Sequence, residues 1–141
     1  MNTTISKATL VAAVAHISTV LSAIIFILVP TISTMVTITS QTQFSQGINS
    51  RATLFEVYGS DAFFIVIFPW AITLVTAISC LMGGSNRNEQ KRILWRWRSY
   101  SWAAAGIMII FLVLLWTSMG IPSMIYVVPT VLTVTAATLN R

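Results

Sequence analysis

The side chains that invite a chemical reading are His16, Glu56, Asp61 and Arg51. His16 stands inside the apolar stretch "ATLVAAVAHISTVLSAIIFILV". An ionisable group in such surroundings is costly to bury, which makes it a candidate proton relay, ligand group or partner contact. The plainer reading is a neutral imidazole bonded to a threonine hydroxyl or a carbonyl of a neighbouring helix. No second histidine or carboxylate lies within helical reach of it, so the spacing predicts no metal site and no buried acid–base pair. Glu56 and Asp61 belong to "FEVYGSD" at the start of a second apolar run. Negative charge is favourable at a helix N-terminus, and Ser60 or Asp61 can cap the first turn there. The sharper reading pairs Glu56 with Arg51 as an outward-facing cation or partner site. The single cysteine, Cys80, excludes an intramolecular disulfide and a cysteine-based metal cluster. Catalytic residues, metal and cofactor are therefore all expected to be absent.

The elements that must position these groups are written in the composition. Of 141 residues, 56% are hydrophobic and only 8% are charged, against about 25% charged in a soluble domain. Four apolar runs, 8–29, 62–82, 102–119 and 121–139, contain no Asp, Glu, Lys or Arg. Each has roughly the 17–25 residues that cross about 30 Å of hydrocarbon as a helix, and backbone polar groups in lipid must be satisfied internally. The expected fold is all-α: one domain, a four-transmembrane-helix bundle spanning residues 1–141. The first run is about twice the length of a signal-peptide core and reads as a retained helix.

With both termini inside, Lys7, Arg87, Lys91, Arg92, Arg96, Arg98 and Arg141 all face the cytoplasm and only Arg51 lies outside. That asymmetry predicts a multi-pass protein of the cytoplasmic membrane. The inner loop, 83–101, leads into "QKRILWRWRSYSW". Lys91, Arg92, Arg96 and Arg98 there would neutralise anionic lipid headgroups, while Trp95, Trp97 and Trp102 would sit at headgroup depth as interface anchors. A net charge of +5 suggests nucleic acid on arithmetic alone, but the cations are confined to one side, and no nucleic-acid partner is expected. The outer loop, 30–61, allows two readings of equal standing. Period-two alternation in "MVTIT" and "ATLFEVY" favours a short β-hairpin capping the bundle. The competing reading extends helix one past Pro30 to about Met35.

Helices in lipid associate through close packing and hydrogen bonds, so small and hydroxyl residues mark the packing seam. On helix one that face carries Ala12, Ala15, His16, Thr19 and Ala23, opposite Leu10, Val14, Ile17, Leu21, Ile25 and Leu28. Helix two offers Ala62, Pro69, Thr73, Thr76 and Cys80. Helix three offers Ser99, Ala103, Gly106 and Thr117, and helix four Tyr126, Thr130, Thr133 and Ala137. Pro69 and Pro129 should bend their helices, with Thr73 and Thr133 satisfying the freed carbonyls. Gly83 and Gly84 should end helix two.

Thr53, Leu54, Glu56, Gly59 and Pro69, followed later by Gly120, Tyr126 and Pro129, resemble the pattern of small bacterial four-helix membrane proteins: "TLLE-x-x-G" entering a proline-containing helix, then "G-x-x-Y-x-P-A". Thr130 stands where the pattern has alanine. The resemblance implies the topology and a bacterial source, and no activity. Sequence alone thus leads to a non-enzymatic accessory subunit, protector or assembly partner of a larger membrane system, bound to another membrane protein or to copies of itself. The alternative is an oligomeric small-solute or lipid channel whose path runs by His16 and the two prolines.

Overall fold

The computed structural model describes residues 6–39, 45–85 and 91–140; Arg87, Glu89 and Arg141 lie outside them. Helix α1 spans Lys7–Leu28, and its first turn is capped by Ser6, whose hydroxyl accepts the Thr9 amide. It stops where Pro30 dictates. The residue before a proline is driven out of the α region, and Val29 is extended at φ −97°, ψ 126°. Helix one therefore does not run on to Met35. Strand β1, Ile32–Thr39, pairs antiparallel with β2, Ser45–Ala52, with Ile32 opposite Ala52 and Thr39 opposite Ser45.

A single turn, α2 (Leu54–Tyr58), leads through a 3-10 turn at Gly59–Asp61 into α3, Ala62–Ser85. Helix α4 spans Lys91–Met119, and after a 3-10 segment, Ile121–Tyr126, the chain closes with α5, Val127–Leu139. Gly59 (φ 54°, ψ −128°) and Gly120 (φ 67°, ψ −131°) make the two sharp turns. Both are in a region that residues with a Cβ rarely enter. The helices form a ring in which α1 packs on α3 and α5, and α4 packs on the same two. Four helices are long and apolar enough to cross a membrane, as a multi-pass membrane protein requires.

Two helix boundaries differ from expectation. From Lys91 onward the basic aromatic segment is helical, and α4 begins there rather than at 102. Charge alone does not break a helix, and no glycine or proline interrupts residues 91–102. Helix α3 likewise runs through Gly83 and Gly84 to Ser85.

The inward and outward faces follow side-chain size. On α1, Ala8, Ala12, Ala15, Thr19, Ser22, Ala23 and Phe26 are buried, and Leu10, Val14, Ile17, Leu21, Ile25 and Leu28 are exposed. The core falls into three layers. At the hairpin end Phe26, Ile32, Leu54, Ala62, Leu115 and Tyr126 pack together, with Phe26 and Phe111 both set edge-on to Tyr126. Ile72, Ala104 and Met108 fill the middle. Ala8, Ala12, Cys80 and Ala136 form the layer at the termini.

Candidate functional site

The seam between the helices holds the polar groups, and its arrangement begins with the two prolines. A proline inside a helix offers no N–H, so the carbonyl four residues earlier loses its donor. For Pro69, inside α3, that carbonyl is Ile65. Pro129, expected inside its helix, is the third residue of α5, in the first turn, where amides have no partner within the helix. The Tyr126 hydroxyl donates to the Ile65 carbonyl at 3.3 Å, and the Ser22 hydroxyl donates to the Ile125 carbonyl at 2.9 Å. This corrects the expectation for Thr73 and Thr133, whose hydroxyls donate to the carbonyls of Pro69 and Pro129 themselves.

The other seam threonines do the same. Thr19, Thr76 and Thr130 each donate to the backbone four residues before them, on Ala15, Ile72 and Tyr126. Their hydroxyls are closed within their own helices, and they pack against neighbours as small side chains. Ala15, Thr19, Thr73, Thr76, Thr130 and Thr133 are all buried. Helix α4 is the exception. Its packing face is Ser101, Ala104, Ala105 and Met108, while Gly106 is half-buried, with no neighbour where a Cβ would stand. Ala103 and Thr117 are exposed. Small residues occur on two faces of this helix, and the bulk opposite each of them decides which one packs.

His16 lies between α1 and α3, half-buried, with Nδ1 3.0 Å from the Thr73 hydroxyl oxygen. Its ring centroid is 5.8 Å from that of Trp70. The single Thr73 hydroxyl proton has carbonyl acceptors at 3.0 Å on both Pro69 and Trp70. The contact forms with either ring tautomer, the hydroxyl accepting from Nδ1–H while it donates to the backbone, or donating to an unprotonated Nδ1.

A second polar knot joins the termini end. The Thr9 hydroxyl donates to the Cys80 carbonyl at 3.1 Å, and the Asn140 amide donates to the Ser101 hydroxyl at 3.2 Å in a buried contact. Gly83 and Gly84 permit this closeness. A Cβ on Gly83 would stand 2.8 Å from Asn140 Oδ1, and one on Gly84 3.2 Å from Ser6 Oγ. Sequence reading missed Ser22, Ser101 and Asn140 here. The carbonyl orphaned by Pro69 can be found from the proline's position, but only the fold names its donor.

At the hairpin end, Glu56 belongs to a capping box. Its carboxylate accepts the Thr53 amide at 2.6 Å and the Thr53 hydroxyl at 2.9 Å, while the Glu56 amide donates back to Thr53 Oγ1. The carboxylate is thus engaged by Thr53 in place of Arg51, which is exposed on β2 across from Ser33. The spacing Thr53-x-x-Glu56 is itself the signal for such a box. Asp61 is exposed in the 3-10 turn, whose own N-cap residue, Tyr58, makes no side-chain cap. Along the first turns of α4, Trp95, Arg96, Arg98 and Trp102 are exposed, and Trp97 is half-buried edge-on to Tyr100. Lys91 and Arg92 open the same helix. Among the described residues no three His, Cys, Asp or Glu side chains come together as metal ligands.

No protein-family model, curated protein or solved structure gives a significant match to the chain. The resemblance to small bacterial four-helix proteins gains no support from these comparisons.

Proposed function

We propose that the chain is an integral protein of the cytoplasmic membrane, with both termini inside and the β-hairpin outside as a cap. There it serves as a non-enzymatic accessory subunit, protector or assembly partner of a larger membrane system. One observation carries this reading: the seam between the helices is held by its own hydrogen bonds, and the buried hydroxyl without a partner among the described residues, that of Thr31, lies beyond the end of α1. The carbonyl released by Pro69 accepts from Tyr126, the Ile125 carbonyl accepts from Ser22, and the seam threonines are spent on their own backbones. A seam so occupied offers no polar path and no reacting group, so the exposed surfaces are left to act. The same closure weighs against the alternative of a channel beside Pro69 and Pro129.

Dimensions support the membrane setting. Trp95 and Trp116, both exposed on α4, lie about 31 Å apart at about 1.5 Å per residue, close to the roughly 30 Å hydrocarbon thickness. Paired aromatic positions at that spacing suit the two interfaces. Arg96 and Arg98, beside Trp95, then lie at headgroup depth, where they attract anionic lipid.

Gentle detergent extraction from native membranes tests the role. The expected result is a stoichiometric complex with another membrane protein; recovery as a lone monomer sinks it. A reporter fused after residue 90 tests the orientation and should remain cytoplasmic.

A further inference from the structure

We propose that the stripe of α4 carrying Trp95, Arg98 and Trp102 binds one anionic phospholipid, whose headgroup phosphate is the counter-charge of Arg98. The inference rests on the membrane placement above and gives the two arginines named there different tasks. Helical period decides which residues stand together. At about 100° per residue, positions 95, 98 and 102 fall within an arc of about 60°, while 96 stands about 160° round from 98. Trp95, Arg98 and Trp102 are all exposed. Arg98 thus stands between two outward indoles, whose backbone positions are about 10.5 Å apart along the axis. Deeper in the span the same stripe continues as the exposed Ile109 and Val113, which suit an acyl chain.

Arg98 is also the deepest cation of α4, since no Lys or Arg follows it before Arg141. With Trp95 at the interface, position 98 lies about 4.5 Å further in. A charge at that depth is costly unless it is paired. The acids among the described residues, Glu56 and Asp61, lie at the hairpin end, and Glu56 is engaged by Thr53. Lipid phosphate is the counter-charge closest to that depth. Long helical side chains lean toward their N-terminus, which carries the guanidinium back toward the headgroups. The backbone beneath is held in place: Ser101 donates to the Arg98 carbonyl at 2.9 Å and accepts from the buried Asn140 at the end of α5. Arg96 differs, because Arg92 stands one turn before it and leaves a cation on that face when Arg96 is lost. Twofold contact through the Arg98 stripe would set like charge against like, so a second copy is the poorer occupant.

The test takes the full chain from vesicles of equal phosphatidylglycerol and phosphatidylethanolamine into a mild non-ionic detergent and weighs it by native mass spectrometry. The expected species is the chain with one phosphatidylglycerol retained. Arg98→Gln should lower the retained ratio of phosphatidylglycerol to phosphatidylethanolamine about fivefold, the effect of one basic residue at an anionic surface, and Arg96→Gln by less than about twofold. Both variants are compared at equal folded protein, judged by thermal unfolding in that detergent. The two substitutions remove the same charge, so equal losses would mean a diffuse field and overturn the site. Indifference to lipid charge, or a second copy or another protein retained in place of lipid, overturns it as well. A chain that stays dissolved without detergent sinks the membrane placement too, whereas one held in the vesicles with no anionic preference sinks this site alone.

Discussion

The two ends of the bundle are held together by opposite means. At the hairpin end the core is large and aromatic: Phe26, Tyr126 and Phe111 meet edge to face, with Leu54 and Leu115 around them. At the termini end the packed groups are Ala8, Ala12, Cys80 and Ala136, with Gly83 and Gly84 close against Asn140 and Ser6. One end fills a wide space with bulk, and the other removes bulk so that polar side chains lie close against glycine backbone. The first is vulnerable to a hole and the second to an added group.

That contrast sets an order of effects, readable as unfolding free energies in one fixed detergent mixture. Phe26→Ala should be the most damaging, costing about 3 kcal/mol through the cavity left behind; a loss under about 1 kcal/mol would mean the aromatic layer collapses freely and the contrast is false. Gly83→Val comes next, at about 2 kcal/mol of overpacking, since even its Cβ would stand 2.8 Å from Asn140 Oδ1. The equivalent enlargement at Gly106, where nothing lies within 4 Å, should cost little or stabilise. Equal losses at the two glycines would remove the argument from close approach.

The carbonyl locks should give smaller and conditional effects. Ser22→Ala should cost about 1 kcal/mol by leaving the Ile125 carbonyl without a donor. Tyr126→Phe should be milder because its bond to Ile65 is longer, at 3.3 Å against 2.9 Å. In a Pro69→Ala background the restored N–H takes over the Ile65 carbonyl, so Tyr126→Phe should then cost nearly nothing. An additive double mutant would show that the Tyr126 hydroxyl does not serve the proline gap.

Much of this layout is legible in the residues. The division of α1 into a small face and a large face can be read at helical period, since Ala12, Ala15 and Thr19 are buried and Leu10, Val14 and Ile17 exposed. The end of α1 before Pro30 follows from local sterics. Helix α4 shows the limit. Ala103 and Gly106 lie off the packing face although they are as small as Ala104 and Ala105, because periodicity reports that small residues align and is silent on what stands opposite. Glu56 shows another. Its role is local and readable from Thr53, yet charge arithmetic directs attention to Arg51.

Composition and periodicity alone determined four long apolar helices, the approximate limits of the first and last and the faces of three of them, because these depend on each residue's own transfer energy and on neighbours three or four positions away. Tertiary structure alone decided that Tyr126 reaches Ile65, that Ser22 reaches Ile125 and that Asn140 meets Ser101. Those pairs are separated by 61, 103 and 39 residues, and a hydrogen bond over such distances depends on how whole helices are juxtaposed.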